Sequence, residues 1–242
     1  IVTSGSRFIG SHLERFLIKE KIQVLNLDKL TYAGKLNSLE EVSKNKFYYF
    51  DKIDICNYNN LRKVFFDFKP DGLIHLAAET HVDRSIDNPE KFLKTNIFGT
   101  FNLLEVSREY LLNYKSLKNF RFLNISTDEV FGDLALIKGD FSENSPYRPS
   151  SPYSASKASA DHLVRSWGRT YNLPILITNC SNNYGPFQYP EKLIPVIIKK
   201  AYLWQKIPLY GNGKQIRNWI YVEDHIKGIW KVFKYGKIGE TY

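Results

Sequence analysis

The chain has 242 residues and a formal net charge of +9, enough length to bury one sizeable core with at most a smaller lobe attached. Its 43% hydrophobic and 24% charged content excludes a disordered or fibrous chain. No run approaches the ~18 apolar residues of a membrane span, no basic segment precedes an apolar one as in a secretory leader, and the lysines are dispersed, so the expectation is a cytoplasmic protein with a phosphorylated small-molecule partner, no nucleic acid and no membrane.

Apolar runs and helical patterns alternate from the start. Ile1 to Thr3 leads into Ile9 to Lys19, Gln23 to Leu27 into Leu36 to Ser43, and Phe47 to Phe50 into Tyr58 to Phe68, which is a repeated strand–helix unit. Leu73 to Ala77 reads as a fourth strand, Pro89 to Tyr110 as a long helix, Arg121 to Ser126 as a fifth strand, Pro152 to Tyr171 as a helix and Ile175 to Asn179 as a sixth strand. Right-handed crossovers between such units predict an α/β fold, a Rossmann-type doubly wound parallel sheet with a smaller substrate-binding lobe. The division expected is 1–179 for the doubly wound domain, which the motifs described next make an NAD-binding domain that also carries the catalytic residues. Residues 180–242, rich in Tyr, Pro, Gly and Asn around one clear helix near Leu193 to Trp204, are expected to form part of the substrate lobe, interleaved with the end of the sheet. The absence of methionine, a start at Ile1 and Val2 inside a strand-like run, and a stop at Gly239-Glu240-Thr241-Tyr242 without a helix cap suggest a fragment at both ends. Cys56 and Cys180 stand at no metal-ligand spacing and read as reduced packing residues, so no metal is expected.

In such sheets ligands lie beyond the carboxyl ends of the strands. The first strand feeds the turn Thr3-Ser4-Gly5-Ser6-Arg7-Phe8-Ile9-Gly10, and the helix after it offers N–H groups and positive potential to a pyrophosphate. Asp28 closes the second strand, where a carboxylate accepts from a ribose diol and repels a 2′-phosphate, favouring NAD over NADP. Asp54-Ile55 could meet an adenine ring, and Leu76-Ala77-Ala78 offers small side chains where backbone approaches a cofactor. The fifth strand ends in Ser126-Thr127-Asp128-Glu129, two adjacent acids beside a hydroxyl. Tyr153 and Lys157 stand four apart on one helix face. A neighbouring ammonium and a nicotinamide cation both favour a phenolate, which makes Tyr153 a proton acceptor for alcohol oxidation. Each feature alone also fits an ordinary turn or a solvated surface; their coincidence points to nicotinamide chemistry.

In Leu27 to Gly34, Leu76 to Ser85, Thr127 to Glu129, Tyr153 to Lys157, Asn182 to Pro186 and Pro190 to Pro195, the chain resembles the nucleotide-diphosphate-glucose 4,6-dehydratases, especially those of dTDP-glucose, within the extended short-chain dehydrogenase superfamily. The paired acids Asp128 and Glu129 separate it from the epimerases of that superfamily. The resemblance implies an NAD site at Gly5, Phe8, Ile9, Gly10, Asp28, Lys29, Leu30, Thr31, Asp54, Ile55, Leu76, Ala77, Ala78, Thr95, Tyr153, Lys157 and Asn183. It implies a sugar nucleotide, dTDP-glucose first and UDP-glucose as the alternative, at Thr80, Thr127, Asn182, Lys192, Leu193, Pro208, Tyr210 and Arg217.

By the same resemblance Tyr153, assisted by Lys157 and Thr127, removes the C4 hydroxyl proton as NAD takes the C4 hydride. Glu129 then takes the C5 proton while protonated Asp128 serves the departing C6 hydroxyl. A homodimer through the helices at Pro89 to Tyr110 and Pro152 to Tyr171 is also implied. The family carries glycine at the positions of Ser4, Arg7 and Ile53. Arg7 therefore predicts weaker NAD retention, through a Cβ close to the pyrophosphate or a strained φ, with its guanidinium on the phosphates as the alternative. A dehydratase of another nucleotide, an epimerase and an inactive relative that binds NAD and sugar nucleotide remain alternatives.

Overall fold

Six short apolar segments pair side by side in the computed structural model, which describes residues 1–31, 34, 36–114, 119–134, 139–209, 212–214 and 216–242. They are β1 (Val2–Thr3), β2 (Val24–Asp28), β3 (Tyr48–Lys52), β4 (Gly72–His75), β5 (Arg121–Thr127) and β6 (Ile175–Cys180), all parallel in the order β3-β2-β1-β4-β5-β6. The order reverses direction at β1, where the chain leaves β3 on one side and re-enters as β4 on the other. That is the Rossmann arrangement, and it opens a crevice at the carboxyl ends of β1 and β4, where the loops after them part.

Helices cover both faces, so inner strands such as β2 and β5 are buried on both sides and read as near-continuous apolar runs, while the edge strand β3 is half-buried to exposed. Alternate strand residues part accordingly. Leu25, Leu27, Leu73, Phe122 and Ile175 join Phe65 of α2 (Tyr58–Phe68), Leu103 and Leu104 of the long helix, and Val164 of a later helix in one core. Val24, Ile74, Leu123 and Leu176 meet Leu13 and Leu17 of α1 (Phe8–Lys19) and Ile226 and Ile229 near the C-terminus in the other.

A short helix α3 (Val82–Asp87) follows β4. The long helix expected over Pro89 to Tyr110 is made of α4 (Pro89–Phe92), a π turn (Leu93–Phe98) and α5 (Gly99–Asn113). The wide turn holds Asn96 against the loop after β4, where its Oδ1 accepts from Glu79 N at 2.8 Å, and such turns are frequent at functional sites. The helix α6 (Pro152–Tyr171) begins at a capping box formed by Ser151 and Ser154, with proline at the first helical position.

Beyond β6 lie β7 (Asn182–Tyr184), α7 (Leu193–Tyr202) and β8 (Trp219–Tyr221), with β7 and β8 forming a separate parallel pair. The sequence reading assigns one helix to this part; the structure adds α8 (Val222–Tyr235), which packs on the sheet through Val222, Ile226 and Ile229. Those positions carry a helical period that the surrounding loop-rich composition hid. The last residues run beside β6, with Ile177 bridged to Thr241 and Asn179 N donating to the Tyr242 carbonyl at 2.8 Å. Among the described residues no helix is long and apolar enough to cross a membrane, and both cysteines are free.

Candidate active site

The turn after β1 is held from β2. Gly5 N donates to Asn26 Oδ1 at 3.1 Å and Ser6 N to Asp28 Oδ2 at 3.1 Å, while Leu30 N donates to Asp28 Oδ1 at 2.8 Å. Asp28 is thereby fixed at the crevice and buried; desolvation raises its carboxyl above the usual range, opposed by the Leu30 N–H and the Arg7 charge. Gly10 is required by contact, since a Cβ there would lie 2.2 Å from the Ser4 carbonyl oxygen. Phe8 and Ile9 are half-buried in the first turn of α1, whose N-terminus faces the crevice.

Two of the departures from glycine now have a geometry. Ser4 sits at φ 58, in the left-handed region that disfavours a side chain. Arg7 has an extended backbone, φ −96, so the backbone strain anticipated there is absent and falls on Ser4. What Arg7 puts in the crevice is its side chain: Nη1 donates to the Ala78 carbonyl at 2.5 Å, Nη2 to Thr31 Oγ1 at 2.8 Å, and Glu79 Oε2 is 4.0 Å away. The guanidinium thus spans from the loop after β2 to the loop after β4. An anchored carboxylate, a helix N-terminus and a crevice cation fit a dinucleotide with a ribose diol and a pyrophosphate, provided that Arg7 turns aside or onto the phosphates.

The other expected cofactor residues line up along the same edge. Lys29 Nζ pairs with Asp54 Oδ2 at 2.6 Å, joining the ends of β2 and β3. Leu76 N and Ala77 N donate to Thr3 Oγ1 at 3.0 Å each, and Ala77 and Ala78 are buried. Ile55 packs inward, so close to the long helix that a Cβ on Gly99 would lie 2.4 Å from its Cδ1. Thr95 is half-buried in the π turn. The amide of Asn183 is turned toward α8, with Oδ1 2.8 Å from His225 Nδ1.

At the end of β5, Thr127 is buried, Asp128 and Glu129 are half-buried in the following 3-10 turn, and Glu129 N donates to Thr127 Oγ1 at 3.3 Å. Tyr153 is buried on the first turn of α6 with Lys157 one turn later, and Lys157 Nζ donates to the Ile125 carbonyl at 2.7 Å. Burial, then the Glu129 charge, pushes the Tyr153 phenol up, and the Thr127 hydroxyl opposes this. Burial raises Asp128; burial and the Asp128 charge raise Glu129, tempered by Arg217 and Lys192. Beside these groups opens a cleft of about 1400 Å³ lined by Thr80, Asp128, Glu129, Asn182, Lys192 and Arg217 among others. Leu193 and Pro208 are exposed residues outside that lining. Tyr210, with Tyr32 and Ala33 of the motif after β2, lies outside the described residues.

The sequence reading missed the buried polar groups that join the two halves of the site. Thr3 Oγ1, already accepting two N–H groups, gives its proton to His75 Nδ1 at 2.9 Å; His75 Nε2 donates to Thr100 Oγ1 at 3.0 Å, and Thr100 donates to the Asn96 carbonyl at 2.6 Å. Burial holds His75 neutral, its pKa lowered to about 3. Asn96 Nδ2 reaches Ser156 Oγ at 2.8 Å, and Ser156 donates to the Tyr153 carbonyl at 2.7 Å. The signal was present as polar residues inside apolar runs. Among the described residues no cluster of three metal-ligating side chains occurs.

The whole chain, residues 1–242, matches the family model described as GDP-mannose 4,6 dehydratase. Curated relatives include the dTDP-glucose 4,6-dehydratase of Neisseria meningitidis, 54% identical over all of this chain and 69% of its own length, and that of Escherichia coli, 52% identical over all of this chain and 70% of its own. Among solved structures, the dTDP-glucose 4,6-dehydratase of Streptomyces venezuelae with NAD and TYD bound superposes with a TM-score of 0.92 at 40% identity, covering 100% of this chain and 73% of that one. The UDP-glucuronic acid 4-epimerase of Bacillus cereus, in complex with UDP-glucuronic acid and NAD, gives 0.88 at 29% identity, covering 99% and 75%.

Proposed function

The chain belongs to the GDP-mannose 4,6-dehydratase family, and we propose that within it this protein is an NAD-dependent dTDP-glucose 4,6-dehydratase, forming dTDP-4-keto-6-deoxyglucose and water. The names of its relatives support the substrate, and NAD accompanies the solved ones. Bound NAD would supply the hydride chemistry, acceptance from C4 and return to C6, so that the sugar loses water without net oxidation. Asp28 would hold the ribose diol, the first turn of α1 the pyrophosphate, and the Asp54–Lys29 pair the adenosine end.

Tyr153 takes the C4 hydroxyl proton, with Thr127 on the same oxygen and the Lys157 ammonium favouring the phenolate. The C4 ketone acidifies the C5 proton. Glu129 removes that proton, Asp128 in its protonated form delivers one to the C6 hydroxyl, water leaves, and Glu129 gives its proton back to C5 as C6 is reduced. The observation that carries this reading is the pair of adjacent carboxyls lining the cleft beside Tyr153, both raised by burial and Glu129 further by the Asp128 charge, as suits two acids that exchange protons with a substrate. Lys192 and Arg217, across from that pair, suit the substrate's pyrophosphate.

Incubation of the purified protein with NAD and dTDP-glucose, read by the alkali-induced absorbance of a 4-keto-6-deoxy sugar, tests the proposal, with UDP-glucose in parallel. Product from dTDP-glucose supports it; product from UDP-glucose alone moves the substrate to the other base. Ser4 at φ 58 and the guanidinium across the crevice favour one second reading, a relative that binds sugar nucleotide without turning it over. Folded protein that binds dTDP-glucose and releases no product would establish that.

We also infer that residues 1–179 carry the cofactor and the catalytic groups, and that 180–242 supply the sugar-nucleotide wall before returning to the sheet through α8. A cytoplasmic homodimer completes the reading. The exposed Phe98, Phe101 and Leu112 on the long helix and Tyr171 at the end of α6 support the dimer surface, and the two free cysteines suit a reducing compartment.

A further inference from the structure

Tyr153, Lys157, Asp161 and Arg165 follow one another at intervals of four along α6 and share one stripe of that helix. Tyr153 and Lys157 belong to the proposed reaction; Asp161 has so far been given no part in it. The stripe lies against β5. Lys157 holds the Ile125 carbonyl, and Asp161 accepts from the residues on either side of it, Ser126 Oγ at 2.6 Å and Asn124 Nδ2 at 2.7 Å. Tyr147 OH donates a third bond to Asp161 at 2.9 Å and itself accepts from Arg165 Nη2 at 2.9 Å.

Asp161 is fully buried, as is nearly all of Lys157. Burial raises the Asp161 carboxyl, and the Lys157 charge leads the influences that lower it, followed by the Ser126 and Tyr147 hydrogen bonds. A carboxyl that accepts from an amide, a serine and a tyrosine whose own oxygen is already engaged by Arg165 is satisfied as a carboxylate. The charged and titratable groups around Lys157 are then Asp161 on its own helix, the Cys180 thiol on β6, the neutral His75 on β4 and Tyr153 one turn away. Burial lowers the Lys157 ammonium, and Asp161 is the leading influence that raises it. Asp161 also fixes Ser126, the residue before the Thr127-Asp128-Glu129 run.

We propose that Asp161 is a positioning residue for the oxidation step: its charge, tied to β5 through Ser126 and Asn124, keeps Lys157 as an ammonium one turn from Tyr153 in a site too dry to hold a lone cation. The catalytic consequence rests on the dehydratase reading; the coupling between Asp161 and Lys157 does not.

The test uses NAD-loaded wild type, Asp161→Asn and Asp161→Glu, checked for folding by circular dichroism, with carbon-13-labelled lysines followed by NMR against pH. The Lys157 signal, identified by its loss in Lys157→Arg, is expected to titrate at least about one pH unit lower in Asp161→Asn than in wild type and to return toward wild type in Asp161→Glu. The alkaline limb of kcat moves down in parallel, with KM within about threefold. Where Asp161→Asn does not fold, Ser126→Ala, which removes one of the tethers that hold that charge, is expected to move the Lys157 titration down by a smaller amount, and an unmoved titration there overturns the proposal. A kcat lowered equally at every pH with an unmoved limb, or an unmoved Lys157 titration, overturns the proposal. Wild type without any turnover overturns the dehydratase reading, while the lysine titration still decides the coupling.

Discussion

Arg7 Nη1 lies 2.5 Å from the carbonyl oxygen of Ala78, and that hydrogen bond closes the crevice at the point where the strand order reverses. A dinucleotide crossing from the loop after β2 to the loop after β4 has to break it, along with the bond to Thr31. Ser4, at φ 58, adds a conformation that costs a non-glycine residue about 1 kcal/mol. Replacing Ser4 and Arg7 together by glycine is therefore expected to raise the fraction of protein that retains NAD through gel filtration. Equal occupancy in the variant and the parent would show that neither residue obstructs the cofactor.

The two acids at the end of β5 are expected to separate by step. Glu129→Gln removes the base for the C5 proton, so product formation should fall by about 10²–10⁴-fold while C4 oxidation, followed by cofactor absorbance under single-turnover conditions, persists. Asp128→Asn should still exchange the C5 proton with deuterated solvent while eliminating water slowly. Loss of solvent exchange in Asp128→Asn together with its retention in Glu129→Gln would reverse the two assignments.

Much of this was readable because the sequence writes strands that are buried on both faces as plain apolar runs. Tyr58 to Phe68 and Pro152 to Tyr171 stand as helices with the bounds read from the sequence, and β4 and β5 shift by one or two residues at their ends. The motifs at Asp28, Asp128, Glu129, Tyr153 and Lys157 fell at strand and helix ends because parallel sheets put their loops there. What stayed hidden depends on distance in the chain. His75 meets Thr3 and Thr100 across 72 and 25 residues, and Asp161 meets Asn124 across 37, pairings that no local pattern encodes. The side chain of Arg7 was equally illegible, since its reach to Ala78 depends on β4 lying beside β1. The helix α8 carries its period in Val222, Ile226 and Ile229, but the loop-rich composition before it masks that pattern.

Tyr153 is expected to matter far more for C4 oxidation than for its share of NAD binding. Its phenol is pushed up by burial and by the Glu129 charge, so in the cofactor-free protein it is protonated, and the positive nicotinamide has to help release its proton. Tyr153→Phe should leave the Kd for NAD, by calorimetry, within about threefold, while lowering the rate of C4 oxidation by about 10²–10⁴-fold. A variant that oxidises the sugar at the parent rate would place the base elsewhere.

Glu14 of α1 is fully buried, and neither of its carboxyl oxygens has a hydrogen-bond partner. It lies directly beneath the cofactor turn, where a Cβ on Gly5 would fall 1.7 Å from Oε1. Burial, then the neighbouring Asp28 charge, raises its pKa well above 4.5, with the Arg15 guanidinium opposing. A carboxyl raised on folding is protonated in the native chain and ionised in the unfolded one between the two pKa values, so its stabilising share is complete below about pH 4.5 and is lost as pH climbs toward the folded value. Glu14→Leu removes that loss along with two buried atoms that lack partners. The variant should be more stable than the parent at pH 7 by about 1–3 kcal/mol, with a smaller advantage at pH 4.5, measured by urea unfolding at both pH values. A parent whose stability relative to Glu14→Leu does not change with pH would mean that Glu14 titrates in the native protein as it does in the unfolded chain.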